Sequence, residues 1–267
     1  MNEKAKRAGW GVLRFLFAAL IIYFLARGKK SIITETINSM DLRWLLLAFL
    51  FYFTSLLACV ARWRALLKMQ GIKLSFKEVF ILSMKGLFFS LVIPGAVGGD
   101  LAKAGFISIQ TGPELRLKAV FSILIDRVIG LIALFFLAGI LGILAYPYIS
   151  RAASSIKIVV IILLIGSVLG MAGAAMLFFH RTFEKFPFVK VLISIADKYG
   201  KGIMSRLMDA LDGYMASYGK IILLIIASAI FVHAAHGMVV YCIGRGTHCE
   251  KLKPEYVILS AAMGNAD

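Results

Sequence analysis

From Trp44 to Ala61 the chain passes without one charged side chain, and no other feature limits its fold as strongly. A helix over those residues rises about 27 Å, close to the thickness of a bilayer's hydrocarbon core. Further apolar runs lie at about 10–27, 128–146, 157–179 and 220–244, with charge at their ends and at Arg14 near the start of the first. With 61% hydrophobic residues and a mean hydropathy of +0.89, a soluble domain has too little polar surface to cover itself. Backbone polar groups inside a bilayer must be satisfied internally, which leaves helices or closed barrels, and runs of this length suit helices. The sequence therefore predicts an all-α fold: a polytopic transmembrane helical bundle forming a single membrane domain over residues 1–267.

Charge sets the orientation. Lys+Arg number 30 against 14 Asp+Glu, a net charge of +16. In a soluble protein that excess would suggest nucleic acid. Here there is no soluble domain carrying a basic patch with interleaved stacking aromatics, and basic loops that hold helices against an anionic inner leaflet account for it. No nucleic-acid partner is expected. Suppose the amino terminus is cytoplasmic and residues 78–94 enter and leave on one side. Lys and Arg then concentrate on the inner side; if 78–94 crosses alone, the excess moves outward. The positive-inside rule favours the re-entrant arrangement in the cytoplasmic (inner) membrane, multi-pass. A hairpin in which 78–94 and 104–125 both cross has the same parity. The first run is longer than a cleavable signal core and ends in Ala26-Arg27-Gly28-Lys29-Lys30 without a cleavage pattern, so it reads as a retained span. Over 188–218, Leu192, Ile195, Tyr199, Ile203, Leu207, Leu211 and Met215 recur at three and four with charges between them. That pattern predicts an amphipathic helix, lying in the headgroup plane or packed below the bundle.

The chemistry concentrates where the apolar pattern breaks. In Val92-Ile93-Pro94-Gly95-Ala96-Val97-Gly98-Gly99-Asp100-Leu101-Ala102-Lys103, Pro94 and Gly95 end one helix and form a hinge. Gly98 and Gly99 bare the backbone, and Asp100 is placed to cap a new helix from Leu101. A re-entrant broken helix over 78–103 points free N–H groups at an anion such as a lipid phosphate, with Lys103 adding a point charge. The plainer alternative is a capped loop with no ligand. Asp126 and Arg127, adjacent in a helix, point to different faces. Arg127 is placed to approach Asp100, and Asp126 to approach Lys85 or Lys103, either lining a headgroup cavity or fixing two helices. Arg62, with Arg64 and Lys68, either gathers anionic headgroups or anchors a span end beside Trp63. The candidate headgroup-binding set is thus Arg62, Gly98, Gly99, Asp100, Lys103, Asp126 and Arg127. His233 and His236 lie three apart, but no acid in that span completes a metal site, so packing roles are favoured. Neither a metal nor another cofactor is expected. There is no Walker loop, GxSxG or HExxH, and no enzymatic activity is expected.

Three short motifs in order, Arg62-Trp63-x-x-Leu66-Leu67, then Pro94-Gly95 with Gly98-Gly99-Asp100-x-x-Lys103-Ala104, then Asp126-Arg127-x-x-Gly130-Leu131, resemble a flippase-like family. It includes the transmembrane part of lysylphosphatidylglycerol synthase, also called multiple peptide resistance factor. The resemblance covers most of residues 10–263. It implies a membrane protein that binds and translocates a polar or anionic phospholipid, or a polyprenyl-phosphate lipid. A second expectation is a membrane subunit that presents lipid to a separate synthase or glycosyltransferase, so a lipid-modifying enzyme is a candidate partner. The family usually has arginine where Lys103 stands. It also carries a second, carboxy-terminal PGG-type re-entrant segment and, for lysyl transfer, a soluble domain. This chain stops at Asp267 about where that second segment begins, so a bundle lacking its carboxy-terminal part is expected. Lipid handling rather than aminoacyl transfer is what the resemblance implies.

Overall fold

The structure, a computed structural model, describes residues 30–92, 98–149, 164–170 and 203–247, with a few isolated positions and pairs elsewhere. Among these the helices run α1 Lys30–Ser39, α2 Leu42–Met69, α3 Phe76–Val92, α4 Gly98–Gln110, α5 Pro113–Ile149, α6 Ile203–Met215 and α7 Tyr218–Gly246, and no strand occurs. The expected span at 10–27 and the hinge residues Pro94 and Gly95 lie outside the described residues. Of the span expected at 157–179, residues 164–170 are helical. They face α5, where a Cβ on Gly142 would stand 2.9 Å from Leu164 Cδ2.

Three helices are long and apolar enough to cross a bilayer: α2, α5 as far as Leu144, and α7. Helix α2 opens on Asp41, whose carboxylate accepts the Arg43 N–H at 2.9 Å, a standard cap. It contains the expected 44–61 span but continues through Met69. Charge at Arg62-Trp63-Arg64 had suggested a stop. Instead Arg62 and Trp63 turn inward, 7% and 2% exposed, while Arg64 stays outside and donates to Leu74 O at 3.1 Å. The helix closes at Gly71, whose φ of 80° is a left-handed conformation that glycine adopts without a Cβ clash. Its N–H reaches Lys68 O at 3.1 Å, and the Ile72 N–H reaches Leu67 O at 3.0 Å.

Helices α3 and α4 flank residues 93–97 and pack on each other. Ser75 and Glu78 form a reciprocal capping box at the start of α3: the Ser75 N–H donates to Glu78 Oε2 at 2.7 Å and the Glu78 N–H to Ser75 Oγ at 3.3 Å. A single crossing helix over 104–125 is not formed. Helix α4 ends at Gln110, Thr111 and Gly112 turn the chain, and Pro113 starts α5, the helix position where a missing N–H costs least. Asp126 and Arg127 do not interrupt α5, which runs straight through the start of the expected 128–146 span.

Two apolar clusters hold the described helices together. Val60, Trp63 and Leu67 of α2 meet Leu82, Ile107 and Ala119 of α3, α4 and α5. Leu66, Ile125 and Ile129 meet Leu211 and Tyr214 of α6 and Ile221 of α7. The described part of the amphipathic segment, α6, therefore lays its apolar face on the bundle, and Gln70 Nε2 donates to Ala210 O at 2.8 Å. Elsewhere apolar side chains face outward, Leu46 and Phe49 on α2 being 68% and 65% exposed. Such a surface suits hydrocarbon and not water.

Candidate functional site

Inside this frame the charged residues form two forked ion pairs. Arg62, near the end of α2, donates from Nε to Asp126 Oδ1 at 2.7 Å and from Nη2 to Asp126 Oδ2 at 3.1 Å. Its third donor, Nη1, reaches Ser228 Oγ of α7 at 3.2 Å. One guanidinium thus joins α2, α5 and α7, a use for which the planar fork of arginine fits better than lysine. The guanidinium packs beside Gly130, one turn after Asp126: a Cβ there would stand 3.4 Å from Arg62 Nη1, in van der Waals contact.

The second pair joins α4 to α5. Arg127 donates from Nε to Asp100 Oδ2 and from Nη2 to Asp100 Oδ1, both at 2.8 Å. The Arg62 and Asp126 side chains are 9% and 13% exposed, whereas that of Arg127 is 59% exposed and that of Asp100 is 17% exposed. One pair is therefore enclosed by protein, and the other opens at its arginine.

Neighbouring helix positions do point apart, as the sequence implies: Asp126 turns to α2 and Arg127 to α4. The Arg127–Asp100 approach is observed. Asp126 does not pair with Lys85 or Lys103, because Arg62 satisfies both of its oxygens and the two lysines are held elsewhere. Lys85 Nζ lies 4.7 Å from the centre of the Phe106 ring, and Lys103 Nζ lies 5.1 Å from that of Trp63. The Lys103 stem crosses Gly86, where a Cβ would stand 2.6 Å from Lys103 Cε. Among the described residues Lys103 has no carboxylate within ion-pair distance, although Asp100 and Asp126 both lie close enough to act on its charge.

Asp100 sits in the first turn of α4, which starts at Gly98. Its carboxylate serves Arg127 and does not cap the helix from outside. Gly98 and Gly99 are buried in that turn. A Cβ on Gly99 would collide with Ser90 Oγ and stand 2.6 Å from Gly86 O, so the missing side chain lets α3 and α4 touch. The first N–H groups of α4 have no partner within the helix and lie beside the Asp100–Arg127 pair.

Sequence reasoning missed Ser228, a lone hydroxyl in an apolar run whose only signal was its rarity there. It also missed the indole N–H of Trp63, which donates to Ser122 Oγ at 3.0 Å. Trp63→Phe keeps the buried ring and loses that bond, while the Ser122 hydroxyl still donates to Ala119 O. A loss of about 1 kcal/mol is expected in detergent unfolding. His233 and His236 bond to protein: His233 Nε2 lies 3.0 Å from Gly130 O, and His236 Nδ1 lies 2.7 Å from Val232 O and 3.1 Å from Ser55 Oγ.

Long apolar helices carrying a buried, paired charge cluster define a multi-helix integral membrane protein with a polar site built into its bundle. The chain belongs to the lysylphosphatidylglycerol synthase transmembrane-region family, whose model matches residues 11–250. It is 31% identical over 158 residues to a UPF0104 membrane protein of Pyrococcus horikoshii, covering 55% of this chain and 47% of the relative. To a UPF0104 membrane protein of Methanocaldococcus jannaschii it is 27% identical over 132 residues, covering 49% of this chain and 38% of the relative. The matched region thus spans under half the length of each relative. No solved structure matches the chain.

Proposed function

We propose that this protein binds the headgroup of an anionic or aminoacylated phospholipid, or of a polyprenyl-phosphate lipid, at the Asp100–Arg127–Lys103 cluster, and moves that lipid across the cytoplasmic membrane. The observation that carries the reading is the exposed fork of Arg127, paired with Asp100 beside the first turn of α4. Phosphate and carboxylate compete for the same planar donors, so an arriving headgroup takes the place of Asp100 on Arg127. Lys103 adds a positive charge that no carboxylate pairs with among the described residues, and the start of α4 adds its dipole. Arg62 and Asp126 hold α5 so that Arg127 keeps its aim. Ionisable groups within membrane helices are costly to keep and are functional by default, and membership of this family supports a lipid ligand.

The test is movement of fluorescent phosphatidylglycerol between leaflets in liposomes containing the purified protein. The native protein is expected to accelerate it. Arg127→Ala is expected to fall to the rate of protein-free vesicles while eluting as the native protein does, and Asp100→Ala, which removes the carboxylate that competes with the headgroup, to depart from the native rate. Transport at the native rate in both variants would remove the proposed site. Absence of transport together with co-purification of a lipid-modifying enzyme would favour a subunit that presents lipid to that enzyme.

A further inference from the structure

Helix α7 is interrupted by one π turn, Ala229–Ala234. Turns closed by i→i+5 bonds are rare and occur mostly as single insertions at functional sites. This one brings residues five apart toward one face. Ser228 at its start and His233 near its end are both buried, 3% and 8% exposed, and both contact the α2–α5 side. Ser228 Oγ receives Arg62 Nη1 and itself donates to Leu224 O at 2.6 Å. His233 Nε2 meets the carbonyl of Gly130. A carbonyl only accepts, so Nε2 carries a proton. Nδ1 is buried and has no hydrogen-bond partner among the described residues. With no acceptor for a second N–H, the ring stands neutral with a bare lone pair.

The ring is tied to the charge cluster through Gly130. Gly130, whose carbonyl holds His233, is also the residue against which the Arg62 guanidinium packs. The charged and titratable groups that act on the imidazole are Arg62 on α2 and His236 on α7 itself, and Arg62 is in turn paired with Asp126 on α5. A satisfied core histidine would use both nitrogens. This one leaves the nitrogen that binds protons unoccupied, inside a membrane helix where ionisable groups are costly.

We propose that His233 is a proton-binding site linked to the charge cluster, so that proton uptake at Nδ1 and binding of an anionic headgroup favour each other. The inference rests on the headgroup reading of that cluster. In the step itself, the Nδ1 lone pair takes a proton from hydronium and releases water; no other bond changes. With the cluster empty, the positive charge of Arg62 opposes an imidazolium. A bound anion removes part of that opposition, and by linkage the imidazolium strengthens anion binding by the same factor. A headgroup is held more tightly where protons are plentiful and released where they are scarce, so a proton gradient biases the direction of lipid movement.

The experiment titrates short-chain phosphatidylglycerol, whose phosphodiester stays anionic throughout, into the purified full chain in neutral detergent at pH 7.5 and pH 5.5. Binding is expected to tighten about fivefold at the lower pH, in the range typical of coupled sites. His233→Gln, which keeps a donor for Gly130 O but cannot be protonated, is expected to bind equally at both values, and His236→Gln to keep the native pH effect. A weakly buffered solution should also show the native protein taking up protons as lipid is added, which tests the linkage without any variant. Lipid bound equally at both pH values with no proton uptake overturns the linkage and leaves the headgroup site standing. No binding at either pH overturns both. A pH effect that survives His233→Gln, or that vanishes with His236→Gln, overturns the assignment to His233.

Discussion

Asp126→Ala is expected to cost about 3–5 kcal/mol, the range found when one partner of a buried ion pair is removed. The guanidinium of Arg62 would stay enclosed, keeping Ser228 Oγ but losing both bonds to the carboxylate. The origin of that loss can be separated. Much of it is the penalty of an uncompensated charge and not the net worth of the pair, so replacing both partners by apolar residues of similar volume should restore most of the stability. Arg62→Met with Asp126→Leu is therefore expected to unfold in denaturing detergent close to the native protein. A single variant as stable as the native chain would mean that the pair is not enclosed. By the lipid reading, the double variant folds but carries lipid poorly, since Arg127 loses the neighbour that fixes its aim.

Gly99→Ala is expected to cost about 1–3 kcal/mol, typical of forcing an extra carbon into a packed contact. Ser90 can rotate away from the new methyl, but the Gly86 carbonyl, 2.6 Å from the Cβ position, belongs to the backbone of α3 and cannot. The two helices must part, and the first turn of α4 carries Asp100 away from Arg127. Gly105→Ala on the same helix provides the contrast. Nothing lies within 4 Å of a Cβ there, so the substitution should be neutral or gain up to about 1 kcal/mol through helix propensity. Equal effects at the two positions would show that α3 and α4 are not in contact at Gly99.

The apolar frame was legible because hydrophobicity is a local property. The 44–61 and 220–244 runs announce α2 and α7 by the absence of charge. Their extents were less legible, because the charges at Arg62 and Asp126 read as boundaries, and only a partner from another helix lets such residues continue inward. Arg62 finds Asp126 sixty-four positions away, and nothing in the local pattern signals that separation. Lys85 and Lys103 were reasonable partners for Asp126 by charge. They are held instead by the faces of Phe106 and Trp63, contacts that depend on helix packing. The Arg127–Asp100 pair was legible because the break at Pro94–Gly95 and the polar step in α5 were the two interruptions most in need of each other. The π turn left no trace, since Ala229–Ala234 is ordinary helical composition.

Helix α5 is 37 residues long, which makes a rod of about 55 Å against roughly 30 Å of hydrocarbon. Such a mismatch must be relieved by leaning, by jutting into water or by thickening the bilayer around the helix. Arg127 rides on that rod about 20 Å from its Pro113 end. Residues 128–149 alone rise about 33 Å, enough to cross the hydrocarbon, so the charged stretch from Glu114 to Arg127 is the surplus that is left for the membrane surface.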